Sequence, residues 1–486
     1  MAGTFKPQKI RDPLHNLIEF DTSQFERTLW NVIQSPSFQR LRRIRQLGFS
    51  ELVYPGATHT RFAHSIGVYH TARRLMGIIS NHFGKDIDDH QRQVALVAAL
   101  VHDLGHGMFS HAFEDIGRQF GLVLADHETV TGLLIRERLQ DALKPLGTSF
   151  ADEVATVIRS RRVENIYDAV VSSQFDADRL DYMQRDRLMA GVQNSCIDFT
   201  WLMTNLEVGN IQIGVDNVAL GEVNTFVLGP KAIHAAETFV LALFQLYPTV
   251  YFHKATRVAQ KMFTNLMAHL ITLVKDGNSA GTGLPDNHPF IRFAKDPNCL
   301  DHVMDMDDTV FWGALPLLAN AADERIKAYA TALKDRRLPK CIDVWPRLMA
   351  DYGPKRGETA TERKKREEDI KAAKKAITEN LEAWESENPA SGTRRILIDD
   401  GERSPYKRIE EDDKGTLNQI HIRDTSGRIR NIVEISPVVA AIEPFEFFRI
   451  YVDKDDVEAT RTVEAAVEAV SGAKPKRKKT HGAKRS

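Results

Sequence analysis

The sequence predicts a mainly α fold: a helical core with a small β insert, followed by a mixed α/β C-terminal lobe. Three observations predict it. Apolar residues recur at helical spacing through residues 1–275, interrupted once by alternating runs at about 206–228. Residues 276–392 continue as helix and end in a linker-like stretch dominated by charge. From 393 to 472 the pattern changes to short alternating runs, RILI, QIHIRD, RNIVEIS and FFRIYV, split by turn residues.

Ser35-Pro36 reads as an N-cap followed by proline at the first helical position, with Phe38, Leu41 and Ile44 spaced helically as far as Gly48. His64 is expected to open a helix with Val68, Ala72 and Leu75 on related faces. Val94 to Val101 is apolar nearly all round, as a buried central helix is, and it runs into His102-Asp103 before stopping near Gly105. IQIGV, VAL and FVL, separated by Asp216-Asn217 and Gly221, predict a β-hairpin or a three-stranded insert. Helix returns over 232–275 with an interruption at Pro248. GETATERKKREEDIKAAKKAI predicts an exposed helix with loose ends, and 456–470 a short helix.

The 486 residues are 42% hydrophobic, enough for a substantial core, and 27% charged, which is ordinary. The tail 473–486 carries seven cations and no acid, so the remainder has a net charge of −8. A disordered, solvated tail is the expectation, with weak nucleic-acid contact as the functional alternative. Cys196, Cys299 and Cys341 show no CxxC spacing, which argues against a disulfide framework or a zinc ribbon and fits a reducing compartment. The N-terminus has no apolar h-region, and no run of about eighteen apolar residues occurs; the expectation is a cytoplasmic protein with no membrane partner.

Chemistry concentrates in four strings: His64 in RFAHS, His102-Asp103 in LVHDLGHG, His127-Glu128 in ADHET, and Asp178 in FDADRLDY. Two imidazoles and two carboxylates make a mixed nitrogen/oxygen ligand set suited to Fe, Mn, Zn, Co or Ni. Such a set keeps positions open for water and substrate, as metal-assisted hydrolysis requires.

RLRRIRQLG, YPGATHTRFAHSIGV, ALVHDLGHGMFSHAFE and FDADRLDYMQRD together resemble the HD-domain phosphohydrolases. Within them the chain is similar to the bacterial deoxynucleotide triphosphohydrolases and their vertebrate HD-domain relative. LYPTVYFHKATR, SPYKRI, EISPVVAAI and RIYV resemble the bacterial branch. The resemblance implies an HD-domain helical core and release of triphosphate and a deoxynucleoside from a dNTP. It implies His64, His102, Asp103 and Asp178 as metal ligands, His127 as the catalytic histidine, and His106 and His111 near the phosphates. Arg61 and Arg179 would contact phosphate, Tyr182 and Asp186 the sugar, and Gln46 the 3′-hydroxyl. Mg or Mn would accompany the triphosphate. A dimer or tetramer and a nucleotide activator are implied as well. Gln34 stands where the vertebrate relative reads guanine with an acid, so GTP itself is not implied. The implied physiological role is control of dNTP pools or phage defence.

Physical reasoning agrees with several of these roles. Arg61 lies one helical turn before His64, which puts a forked donor beside the ligands. Arg179, Tyr182 and Asp186 fall on one helical stripe next to Asp178. His127 paired with Glu128 or Glu114 would move protons near neutral pH. Asp176 and Asp181 read as a helix cap or as groups behind the ligands, and Lys254 in YFHKATR as a further phosphate contact. Two alternatives compete. One is an HD hydrolase acting on an alarmone, a cyclic dinucleotide or a nucleoside monophosphate. The other is a nucleic-acid-binding or nucleotide-sensing protein in which the histidine–aspartate site is structural.

Overall fold

Helices dominate the chain, and three small sheets are attached to them: one of two strands, one of four and one of three among the described residues. The computed structural model describes residues 6–160, 163–215, 218–354, 357–406 and 418–471; the basic tail lies outside them. The chain divides into two compact units, one formed by residues 1–336 and 403–445, the other by 337–402 and 446–486. The C-terminal region is mixed α/β, as expected.

In the first unit the centre is α2 (Asp89–Val101), which packs against α1 (Arg61–Phe83). Asp88 caps α2 by accepting from the Gln91 amide, and every side chain from Val94 to Val101 is buried. Burial of each Val or Leu contributes about 1.5–3 kcal/mol, so this helix is fixed firmly where it hands over to His102. Three further helices complete the surroundings of the site: α3 (His111–Phe120), α4 (His127–Arg138) and α5 (Ala177–Ala190). α5 packs on α1.

Two helix boundaries differ from the sequence reading. Ser35 does cap a helix through the Phe38 amide, but that helix spans only Pro36–Arg40, with a tight turn at Leu41–Arg43. Ile44 is already extended: its amide still donates to Leu41 O at 3.4 Å, but residues 44–46 otherwise exchange backbone hydrogen bonds with 59–61. Arg61 N donates to Ile44 O at 2.9 Å and Gln46 N to His59 O at 3.1 Å. For the same reason α1 begins at Arg61 rather than at His64.

The insert is an antiparallel hairpin of Leu206–Val215 and Val218–Leu228 with a bulge at Ile213/Gly214. Its second strand pairs in parallel with His421–Arg423, which in turn pairs with Ile429–Asn431. Pro248 sits in a π-helical turn, Tyr247–Tyr251, between helices Ile233–Leu246 and Lys254–Lys275.

In the second unit the charged segment forms helix Ala360–Glu387, started by a capping box between Thr359 and Glu362. Its expected exposure is only partial. Ile370, Ala373, Ile377 and Leu381 form a buried stripe, and the last three pack with Phe448, Ile450 and Val452 of strand Phe445–Val452 and with Val463 and Val467 of helix Val457–Val470. High charge on three faces had hidden an apolar fourth. No helix among the described residues is long and apolar enough to cross a membrane.

Candidate metal centre and acid–base pair

α1, the end of α2 and the first turn of α5 bring His64, His102, Asp103 and Asp178 together. Ligand atoms of His64, His102 and Asp103 lie within 4.8 Å of one another. Asp178 Oδ1 is 2.9 Å from His64 Nε2 and 3.6 Å from His102 Nε2, and His102 Nε2 is 3.3 Å from Asp103 Oδ1. The outward nitrogens are already engaged: His64 Nδ1 with Asp181 at 2.9 Å, and His102 Nδ1 with the Ala99 carbonyl at 2.9 Å. Both inward Nε2 atoms are buried, and what they face is the carboxylates of Asp103 and Asp178.

A divalent cation fits this arrangement. Two imidazole nitrogens turned inward onto two carboxylates make the kind of donor set that can hold one, with the second nitrogens anchored as ligating histidines usually are. The electrostatics agree. Burial disfavours a charge on His64, yet Asp178 and Asp181 override it and push its pKa up to about 10, so the nest attracts positive charge. Asp103 is held well below the carboxylate range: burial opposes this, but Arg61, His102 and His106 outweigh it. Asp178, whose side chain is 37% exposed, forms the open side of the cluster.

Arg61 is 4% exposed, binds Asp103 and donates from Nε to Ser110 Oγ at 2.7 Å. These contacts engage two of its five donors, and a guanidinium at this position puts a forked cation beside the cluster. Ser110 and Phe109 both have positive φ, 57° and 52°, so the loop from the HD doublet to α3 is held in a strained form. Its anchors are Asp308, which accepts from the Phe109 amide at 2.7 Å, and buried Arg40, which donates to the His106 carbonyl at 2.7 Å.

A second group sits beside the first. His127 Nδ1 is 2.5 Å from Glu114 Oε1, and the His127 and His106 rings stack with centroids 3.9 Å apart. Glu128 Oε1 lies 3.9 Å from His127 Nε2. His106 Nε2 reaches Asp103 at 3.2 Å, while exposed His111 meets Glu114 at 3.0 Å. Gly105 lets the HD loop lie directly on α4, since a Cβ there would come within 2.2 Å of the His127 carbonyl. Burial would raise the Glu114 carboxyl, but hydrogen bonds from His111 and His127 take it far below its ordinary range.

Beyond Asp178, α5 carries a polar wall. Asp176 caps it through the Arg179 amide. Arg179 donates from Nη1 to Gln174 at 2.6 Å, and Tyr182 stands 6.1 Å, ring to ring, from Tyr251. Buried Asp186 is held by His59 at 2.8 Å and by the Tyr251 hydroxyl at 2.9 Å. Gln46, joined to His59 through its backbone, has a buried Oε1 without a partner. Lys254 is exposed at the first position of its helix.

Sequence reasoning missed His59, Tyr251 and Gln174, and it left Glu114 and Glu128 undecided. His59 was within reach, because it lies two residues before Arg61 in the string already singled out. Glu114 lies one turn after His111 on α3, a spacing that points both side chains to one face.

Comparison with known proteins agrees with this geometry. Residues 61–186 match the HD domain family, and residues 215–283 match the HD associated region. The chain is 34% identical to the uncharacterized protein YwfO of Bacillus subtilis over 279 residues, 57% of this chain and 59% of that protein. It is 32% identical to the deoxynucleoside triphosphate triphosphohydrolase SAMHD1 of Bos taurus over 219 residues, 38% of this chain and 36% of that protein. The match thus spans well under two thirds of these relatives. A solved phosphohydrolase from Bacteroides thetaiotaomicron shares the fold, with a TM-score of 0.66 at 23% identity, covering 92% of this chain and 100% of that one.

Proposed function

We propose that this chain, a member of the HD-domain phosphohydrolase superfamily, is a metal-dependent hydrolase that cleaves deoxynucleoside triphosphates to deoxynucleoside and triphosphate. One observation carries the reading: two buried imidazole nitrogens, of His64 and His102, turn inward onto the carboxylates of Asp103 and Asp178, while the polar wall of α5 continues from the same cluster.

His64, His102, Asp103 and Asp178 would hold the cation, which supplies polarisation of a phosphoryl oxygen and activation of water at neutral pH. The remaining roles belong to the protein. Arg61 keeps Asp103 ionised and directs its spare donors at the phosphate next to the ligands. Arg179, steadied by Gln174, offers a second cationic contact on the α5 side. His127 gives its Nδ1 proton to the Glu114 hydrogen bond, leaving Nε2 to take or deliver a proton at the ester oxygen. Asp186, fixed between His59 and Tyr251, would accept from a sugar hydroxyl, with the Tyr182 ring on the same helix.

The test is product identification. Purified protein with Mn²⁺ or Co²⁺ is incubated with each dNTP, and the phosphorus products are resolved. Triphosphate with a free deoxynucleoside is expected. Orthophosphate or pyrophosphate as the first product, or turnover only of alarmones, cyclic dinucleotides or nucleoside monophosphates, would overturn the reading. His102→Ala and Asp178→Ala should lose both bound metal and turnover.

A further inference from the structure

The turn of the first hairpin, Gln8–Asp12 paired with Asn16–Phe20, lies far from the ligand strings in sequence yet ends behind the metal centre. Asp181 is fully buried, and its two oxygens face four donors: His64 Nδ1 at 2.9 Å, His15 Nε2 at 2.6 Å, and Arg185 Nε and Nη2 at 2.7 and 2.9 Å. The buried Arg185 guanidinium, which can only donate, meets both oxygens, so the carboxylate accepts on each side and both histidines turn an N–H toward it. For His64 this engages Nδ1 and leaves Nε2 as the nitrogen turned toward Asp103 and Asp178.

The network does not stop at Asp181. Arg185, also fully buried, donates from Nη1 to Asp12 Oδ2 at 2.8 Å and from Nη2 to Asp12 Oδ1 at 3.3 Å. Asp12 Oδ1 in turn accepts from the Leu14 and His15 amides at 2.9 Å each, which closes the turn and aims the His15 ring. α1 leaves a slot for this chain of contacts: a Cβ on Gly67 would lie 2.1 Å from both Arg185 Nη2 and Asp181 Oδ1.

We propose that His15 and Asp12 are positioning residues of the metal centre: the hairpin turn pins Asp181, and Asp181 fixes the orientation and tautomer of the ligand His64. His15 acts directly on the carboxylate. Asp12 acts one step further out, by restraining Arg185. Groups behind ligating histidines commonly change metal affinity by 10–100-fold. The inference rests on the metal-dependent reading and concerns only how tightly the site holds its ion.

The experiment measures Co²⁺ affinity of the full chain by competition with a chromophoric chelator, together with the visible absorption of the Co²⁺-loaded protein and the melting temperature of the metal-free form. His15→Leu removes the donor; His15→Gln replaces it with an amide N–H. His15→Leu is expected to weaken Co²⁺ binding roughly tenfold and alter the absorption envelope, while His15→Gln stays within about threefold of wild type with its spectrum intact. Asp12→Asn is expected to weaken binding roughly threefold, and it carries the comparison should His15→Leu fail to fold. Unchanged affinity and spectrum in His15→Leu or, if that variant does not fold, in Asp12→Asn, even with a lowered melting temperature, would overturn the proposal and leave the hairpin as a strap. Failure of the wild-type chain to bind Co²⁺ would instead sink the metal-dependent reading itself.

Discussion

Glu114, not the adjacent Glu128, meets the imidazole of His127 closely: its Oε1 lies 2.5 Å from Nδ1, whereas Glu128 Oε1 stays 3.9 Å from Nε2. A carboxylate so placed fixes the tautomer and stabilises the imidazolium that forms when Nε2 takes a proton.

Glu114→Gln should therefore lower kcat by about a hundredfold or more while metal content stays at the wild-type level. Glu128→Gln should stay within roughly threefold of wild type. Steady-state hydrolysis assays with metal analysis on the same samples check both. Equal losses in the two variants would show that His127 does not depend on the contact to Glu114.

Arg40 is 2% exposed and its guanidinium serves three backbone carbonyls, those of Met304, His106 and Met306. Replacing it with methionine keeps much of the volume and leaves three buried acceptors without a donor. The expected loss is about 3–5 kcal/mol of unfolding free energy, measured by urea titration. Arg40→Lys should recover part of it, since a single ammonium cannot fork to all three.

Two glycines on α1 should respond in opposite ways. Gly67→Ala forces a methyl into the Asp181–Arg185 contact and should cost upward of about 2 kcal/mol and loosen metal binding. Gly77 has open space around its Cβ position and ordinary helical backbone, so Gly77→Ala should stabilise by up to about 1 kcal/mol. Thermal melts of both variants test the contrast.

The sequence carried the helical core, the hairpin insert and the four side chains that gather at the candidate metal centre because each has a local signal: a period, a cap, or a short polar string inside an apolar run. It misplaced the ends of the Pro36 helix and of α1. Those ends are set by the backbone exchange between residues 44–46 and 59–61, a contact with no side-chain pattern. It also missed the contribution of Asp12 and His15, whose partners Arg185 and Asp181 are far away along the chain. Helix Ala360–Glu387 shows the converse failure, in which abundant charge masked an apolar stripe that periodicity contained all along.

His70 gives the protein a pH signature. Burial, then the neighbouring His15 and Arg73, push its pKa down to about 4 from an ordinary 6.5. Its folded form thus prefers the neutral ring. Its contribution to stability is complete above about pH 6.5 and is lost as the pH falls toward 4. Allowing for its partial exposure, about 1–2 kcal/mol is expected to disappear across that window. His70→Gln should flatten this component, so the difference in urea midpoint between variant and wild type should shift steadily between pH 6.5 and 4. A difference independent of pH would show that the ring titrates normally.

The strands His421–Arg423 and Ile429–Asn431 complete a sheet begun by the hairpin Leu206–Val215 and Val218–Leu228, and the second unit's core helix waits for a partner at Val457–Val470. During synthesis, then, neither unit can finish before most of the polypeptide has left the ribosome. A truncation near residue 336 would strip one sheet of its closing strands rather than release an intact half, so the two units must mature as interleaved products of one chain.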